Sequence, residues 1–312
     1  MDQSKELRSL IKNDSHEKGA HQSFLEIARP TYEKPCPRVI SVTSGKGGVG
    51  KTNLVANLGF AFTQLGKRIL ILDANLGLAN IDALLGLVPR YTIEHLFSRT
   101  KTFAELLIKG PGGVSIMPAS SGVLDLVDLK EEQKLFLLNE VDLMADHIDL
   151  LLIDTGAGIS SNVLYFNVAA QESLVIVTSE PTSIANASAL IKVLSVRFKK
   201  RNFMILVNLV ESDNEARDVF RKISKLIDHF LEQVSIDYLG FIPVDEKLSL
   251  AVKQQRAVLE LYPKAPSSQS FMDLAKRLAE KPVQFKEQGQ IQFFWKHLLQ
   301  CHPPWNRKRE ID

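Results

Sequence analysis

Short apolar runs alternate along this chain with longer stretches in which apolar positions recur at helical spacing. The runs at 38–43, 68–73, 114–118, 150–154, 174–178, 203–208 and 238–242 are rich in Val, Ile and Leu and predict strands. Helical spacing between and after them predicts helices over 51–65, 130–145, 183–198, 216–231 and 268–279. This alternation predicts an α/β fold, a twisted and mostly parallel sheet flanked by helices. Residues 13–37 break the pattern: they are polar, hold Pro30, Pro35 and Pro37, and predict a linker between an N-terminal segment, 1–12, and a domain spanning 38–281. The globular pattern ends near Lys281-Pro282, which leaves 282–312 as a tail.

Both ends carry an apolar face of their own. In the first segment Leu7, Leu10 and Ile11 share one helical face and Asp2 can cap it, in a helix too short to be stable alone. In the tail Ile291, Phe294, Trp295, Leu298 and Leu299 share a face, with Lys296 on the flank and Arg307, Lys308 and Arg309 beyond. An amphipathic helix of this kind suits a membrane surface, or packs back on its own domain; periodicity alone does not separate the two.

Residues 45–52 read Gly-Lys-Gly-Gly-Val-Gly-Lys-Thr, and they sit between a predicted strand and a predicted helix. Gly45, Gly50, Lys51 and Thr52 complete the phosphate-binding spacing, with Gly47, Gly48 and Val49 inside it. Glycines let successive N–H groups face phosphate oxygens, the following helix presents its positive end, Lys51 neutralises the β- and γ-phosphates, and the Thr52 hydroxyl can ligate Mg²⁺. Ligands of an open parallel sheet bind at the carboxyl ends of its strands. Two acids end such strands: Asp154 closes Leu-Leu-Leu-Ile-Asp, and Asp73 closes Ile-Leu-Ile-Leu-Asp. Either can hold Mg²⁺ or its waters, or else cap a helix. Gly156 and Gly158 follow where backbone must pass a γ-phosphate.

Composition narrows the class. With 312 residues, 45% of them hydrophobic, the chain can fill one large core with appendages. A net charge of +2 gives no bulk attraction to nucleic acid. The two cysteines, Cys36 and Cys301, form neither a disulfide framework nor a metal motif, and the seven histidines show no metal-ligand spacing. The first residues hold no signal core and no run is long and apolar enough for a membrane span, so the expectation is a cytoplasmic enzyme.

Three segments together carry a family resemblance: Lys46 within Lys-Gly-Gly-Val-Gly-Lys-Thr, the stretch 73–82 (Asp-Ala-Asn-Leu-Gly-Leu-Ala-Asn-Ile-Asp), and 153–158 (Ile-Asp-Thr-Gly-Ala-Gly). They resemble the MinD/ParA class of deviant P-loop ATPases. Asp2-Gln3 followed by Leu7-Arg8, and Glu180-Pro-Thr-Ser-Ile184, resemble the FlhG/FleN branch, MinD-like regulators of flagellar number and placement. The resemblance implies ATP and Mg²⁺ as cofactors and an ATP-dependent homodimer in which Lys46, without an obvious use in one subunit, reaches the partner's nucleotide. It implies that Asp73, Asp154 and Thr52 serve Mg²⁺, that Asn208 reads adenine, and that Pro243 and Asp245 form another wall, although a strand end and turn would explain Asp245 as well. It further implies a tail that docks on the monomer and reaches the inner face of the cell membrane from the dimer, an Asp2-Gln3 motif that stimulates the GTPase FlhF, and flagellar basal-body or transcription-regulator partners.

One position departs from the pattern. The family usually has a second acid two residues after Asp73; this chain has Asn75, which predicts weak hydrolysis with binding and dimerisation preserved. Basic residues at 199–201 and Arg217, Arg221, Lys222 and Lys225 read best as solvated faces, but they support a rival, a ParA-like DNA-partitioning ATPase without sequence specificity. A Min-type division-site regulator, lacking the Asp-Gln extension, is the other alternative.

Overall fold

The structure is a computed structural model that describes residues 37–75, 81–91, 93–117, 144, 147–231 and 233–282. The expected N-terminal motif (Asp2, Gln3, Leu7, Arg8), the tail face (Ile291, Phe294, Trp295, Leu298, Leu299) and nearly all of the expected helix at 130–145 lie outside the described residues.

Eight strands form a single sheet: β1 Arg38–Ser44, β2 Ile69–Ala74, β3 Ile108–Lys109, β4 Ser115–Met117, β5 Leu150–Ala157, β6 Glu172–Val177, β7 Asn202–Val210 and β8 Ser235–Pro243. Their order is β3-β4-β2-β5-β1-β6-β7-β8, and neighbours run parallel except β3 and β4. Each strand predicted from the apolar runs is present. The antiparallel β3 was not predicted, because two residues are too few to show a period.

The helices are α1 Lys51–Gln64, α2 Ile81–Leu84, α3 Ile93–Phe97, α4 Phe103–Leu106, α5 Ser161–Ala169, α6 Pro181–Phe198, α7 Asp213–Phe230, α8 Glu246–Lys253, α9 Val258–Leu261 and α10 Pro266–Glu280. Period-2 alternation sends Ile40 and Val42 of β1, Leu152 of β5 and Ile176 of β6 to one face, where α1 and α10 bury them with Phe271 and Leu274. Val39, Leu151, Val175 and Val207 point to the other face, under α4 to α7. Because both faces are covered, the strands read as continuous apolar runs rather than alternating ones.

Three local contacts fix the layers that matter for the site. A Cβ added at Gly59 of α1 would stand 2.8 Å from Ile71 Cδ1, so the missing side chain lets α1 lie close on β2. The Asn57 amide of α1 donates to the Asn53 carbonyl, and its Oδ1 accepts the Val258 N–H at 2.8 Å, which joins α9 to α1. Helix α5 was not predicted, since Val163, Leu164, Phe166 and Val168 leave it apolar all round and hide its period. It is pinned instead by a buried cluster in which Ser41 and Ser173 hydroxyls donate to Asn167 Oδ1 at 2.9 and 3.0 Å.

Candidate functional site

Strand β1 leads through α1 toward β2 on one side, and its neighbour β5 leads through α5 toward β6 on the other, so the loop after β1 opens at the crevice where ligands of such sheets bind. That loop is the glycine-rich 45–52 segment. Gly48 and Gly50 have φ of +78° and +88°, a conformation that glycine alone adopts without strain, and Gly50 N-caps α1. Gly47 and Gly48 form the exposed crown, while Val49 is buried in the core beneath and anchors the loop. A Cβ on Gly45 would fall 2.1 Å from the Asn186 carbonyl carbon, so the root of the loop is pressed against the backbone of α6. Lys51 is buried and donates from Nζ to Ser44 Oγ at 3.0 Å; burial lowers its pKa while the charge of Asp154 raises it.

Asp73 and Asp154 are register partners on the adjacent parallel strands β2 and β5, and both are fully buried. Asp73 accepts from the Asn75 N–H at 3.1 Å and the Ile81 N–H at 3.3 Å, so it organises both ends of the stretch after β2. Burial pushes the Asp154 carboxyl up to about 7; the Thr52 hydroxyl draws it down, neighbouring Asp73 pushes it further up, and Lys51 draws it down. Thr52 nonetheless makes no regular hydrogen bond to it. The end of β5 is stitched to β1 by Thr155 Oγ1 donating to the Val42 carbonyl at 3.0 Å and Gly158 N–H to the Ser44 carbonyl at 2.9 Å.

Among the described residues, the buried side-chain polar atoms without a partner are Thr43 Oγ1, both Asp154 oxygens, Thr178 Oγ1, Asn208 Oδ1 and Tyr238 Oη. All but the last lie at or just past the carboxyl ends of β1, β5, β6 and β7. Buried polar groups are normally satisfied, so their concentration under one loop marks where a polar ligand belongs. Beside Gly50 and Asn208 opens a cavity of about 290 Å³, walled by Leu248 and Val252 of α8, Phe271 of α10 and Leu209. Leu209 has φ +59° and occupies a register shift between Asn208 and Val210, a bulge that keeps both neighbours buried and turns Leu209 outward to the cavity. The chain therefore presents a glycine-rich loop, a buried carboxylate with Lys51 near it, and an apolar slot beside the loop.

Residues 40–258 match the family model of the CobQ/CobB/MinD/ParA nucleotide binding domain. The chain belongs to the MinD/ParA family. Within it, the chain is 43% identical over 266 residues to the antiactivator FleN of Pseudomonas aeruginosa, covering 85% of this chain and 94% of that protein. It is 27% identical over 266 residues to the flagellum site-determining protein YlxH of Helicobacter pylori, covering 84% and 90%. Among solved structures, MinD in the MinC:MinD complex of Aquifex aeolicus superposes with a TM-score of 0.63 at 30% identity, covering 81% of this chain and all of that one (100%). These relatives place it in the FlhG/FleN branch of the MinD/ParA ATPases.

The matched family model is that of a nucleotide binding domain, and the residues present fit a nucleotide accompanied by a divalent cation. The Asp154 carboxylate lacks any positive partner but Lys51, and a cation held by Thr52 and Asp154 would complete it. Mg²⁺ bound there supplies charge neutralisation for phosphate oxygens; Lys51 and the loop N–H groups orient them. The other expected residues fall into place unevenly. Asn208 donates its amide to the Val49 carbonyl at 2.8 Å, so it supports the loop directly and leaves Oδ1 without a partner. Asp245 is occupied by capping: its oxygens accept from the Lys247 N–H at 2.8 Å, the Ser267 N–H at 3.0 Å and Ser267 Oγ at 2.6 Å. That is the turn-and-cap alternative: Asp245 caps α8 and ties it to α10, while Pro243 ends β8, and neither is among the residues that line the cavity.

The sequence reading missed the cavity wall of α8 and the bulge at Leu209. Leu248 and Val252 are apolar residues four apart, a signal that a search for short helices could have found. Lys46 does have a use within one subunit, contrary to expectation: its ammonium pairs with the Glu180 carboxylate. Of the seven basic residues at 199–201, 217, 221, 222 and 225, four are engaged locally, Arg201 through Ser195 Oγ, while Lys199, Lys222 and Lys225 are exposed. Lys200 donates to the Asn167 and Ala170 carbonyls at 2.5 and 2.9 Å, Arg217 pairs with Asp213, and Arg221 with Asp218.

Proposed function

We propose that this MinD/ParA protein is an ATP-dependent dimerising switch that regulates flagellar number and placement, as the names of its FleN and YlxH relatives suggest for those proteins. The observation that carries the switch is the buried Asp73–Asp154 pair beneath a complete phosphate loop, with Lys46 on the loop's outer side. ATP held by Gly45 to Thr52 presents its phosphates at the surface, and Lys46 of one subunit reaches those of the other. Two shared triphosphates then drive association, and hydrolysis releases it. Asn75 stands where the family has an acid, so turnover is slow and the dimer persists.

In the same reading the tail face from Ile291 to Leu299 holds the dimer on the inner face of the cell membrane, and Asp2-Gln3 stimulates an FlhF-type GTPase. Local engagement of four of those seven basic residues favours this over a DNA-coating ATPase. Sedimentation of the full chain with Mg²⁺ and either ADP or a non-hydrolysable ATP analogue is the direct test. A monomer with ADP and a dimer with the analogue are expected; the same mass with both nucleotides would sink the switch.

A further inference from the structure

Lys46 and Glu180 meet at a place where the backbone is fixed on both sides. Glu180 takes the N-cap position of α6, followed by Pro181, yet its carboxylate makes no cap bond to that helix. It turns instead to the Lys46 ammonium, with Thr182 Oγ1 3.5 Å from the same Oε2, and this contact holds the Glu180 carboxyl below the usual range. The backbone of α6 at Asn186 and Ala187 packs so tightly on Gly45 that no side chain fits there, so the main chain that carries Lys46 is held close to the start of α6. The side chains remain 38% and 58% exposed, open to an arriving second subunit.

We infer that Glu180 is a positioning residue for Lys46: it holds the lysine against its own subunit in the monomer, and a partner's nucleotide must displace it. The inference rests on the reading that Lys46 engages the partner's phosphates. In this inference the Lys46 ammonium turns from Glu180 toward the partner's phosphates, so each dimer formed breaks two Lys46–Glu180 pairs. Exposed ion pairs of ordinary strength, lost twice, shift a dimer equilibrium by about two- to thirty-fold. Glu180 therefore sets the ATP and protein concentration at which the switch closes. Salt, which screens the exposed pair, weakens this restraint.

Sedimentation of the full chain with Mg²⁺ and a non-hydrolysable ATP analogue, for wild type, Glu180→Gln, Glu180→Asp and Lys46→Gln, tests this. Glu180→Gln is expected to dimerise about two- to thirty-fold more tightly than wild type at low salt, with the gap closing as salt rises. Glu180→Asp, which keeps the charge, should fall between them, and ADP affinity of the Glu180→Gln monomer should be unchanged. Equal or weaker dimerisation of Glu180→Gln at low salt, with Lys46→Gln monomeric, would overturn the restraint alone. Wild-type dimerisation by Lys46→Gln would overturn the underlying reading and this inference with it.

Discussion

At the residue scale, Asn75 carries the proposed slow turnover. Its N–H bonds to Asp73, so the main chain follows the course an acid there would need, and a Cβ on Gly156 would stand 3.4 Å from its Oδ1. The side chain thus faces the end of β5, where it can orient a ligand by hydrogen bonding but cannot take a proton or hold charge. Asn75→Asp is expected to raise ATP turnover about tenfold or more, measured as phosphate release with nucleotide affinity followed alongside. An unchanged rate would show that the amide is not what limits hydrolysis. The identity of this residue was legible in the sequence; the second role of Asn208 was not. Its Nδ2 reaches Val49, 159 residues earlier in the chain, and only the pairing of β7 with the central strands brings them together.

At the element scale the long helices and the buried strands were legible because each repeats its period several times. Ser212, whose hydroxyl accepts the Glu215 N–H at 3.2 Å, starts α7 ahead of its apolar pattern, and Pro181 does the same for α6. The short α8 and α9 were not legible; α8 forms a wall of the cavity, and α9 follows it in the chain. Their placement depends on one buried amide: Asn57, 2% exposed, accepts the Val258 N–H across 201 residues. Asn57→Ala leaves that donor buried and unpaired and is expected to cost about 1–3 kcal/mol in urea unfolding. Hydrogen exchange should quicken in α8 and α9 before it does in β1 or β5. Exchange that quickens evenly, or a stability within error of wild type, would contradict this role for Asn57.

At the scale of the whole molecule, the proposal divides labour between the 38–281 domain and its ends. The tail's sequence combines Phe294 and Trp295 with a basic end, the composition of an interfacial anchor. Deleting residues 290–312 is expected to abolish ATP-dependent liposome binding while nucleotide-dependent dimerisation of the remaining chain survives. Retention of the shortened protein on liposomes would remove the anchor from the proposal. By itself the sequence determined the strand–helix alternation, the phosphate loop and the acids at strand ends, because each is written in a few consecutive residues. Tertiary structure alone decided the sheet order that sets Asp73 beside Asp154, the bulge and α8 wall that make a cavity beside the glycine-rich loop, and the pairing of Lys46 with Glu180. Those features join residues far apart in sequence, and a linear pattern carries no information about which buried faces will meet.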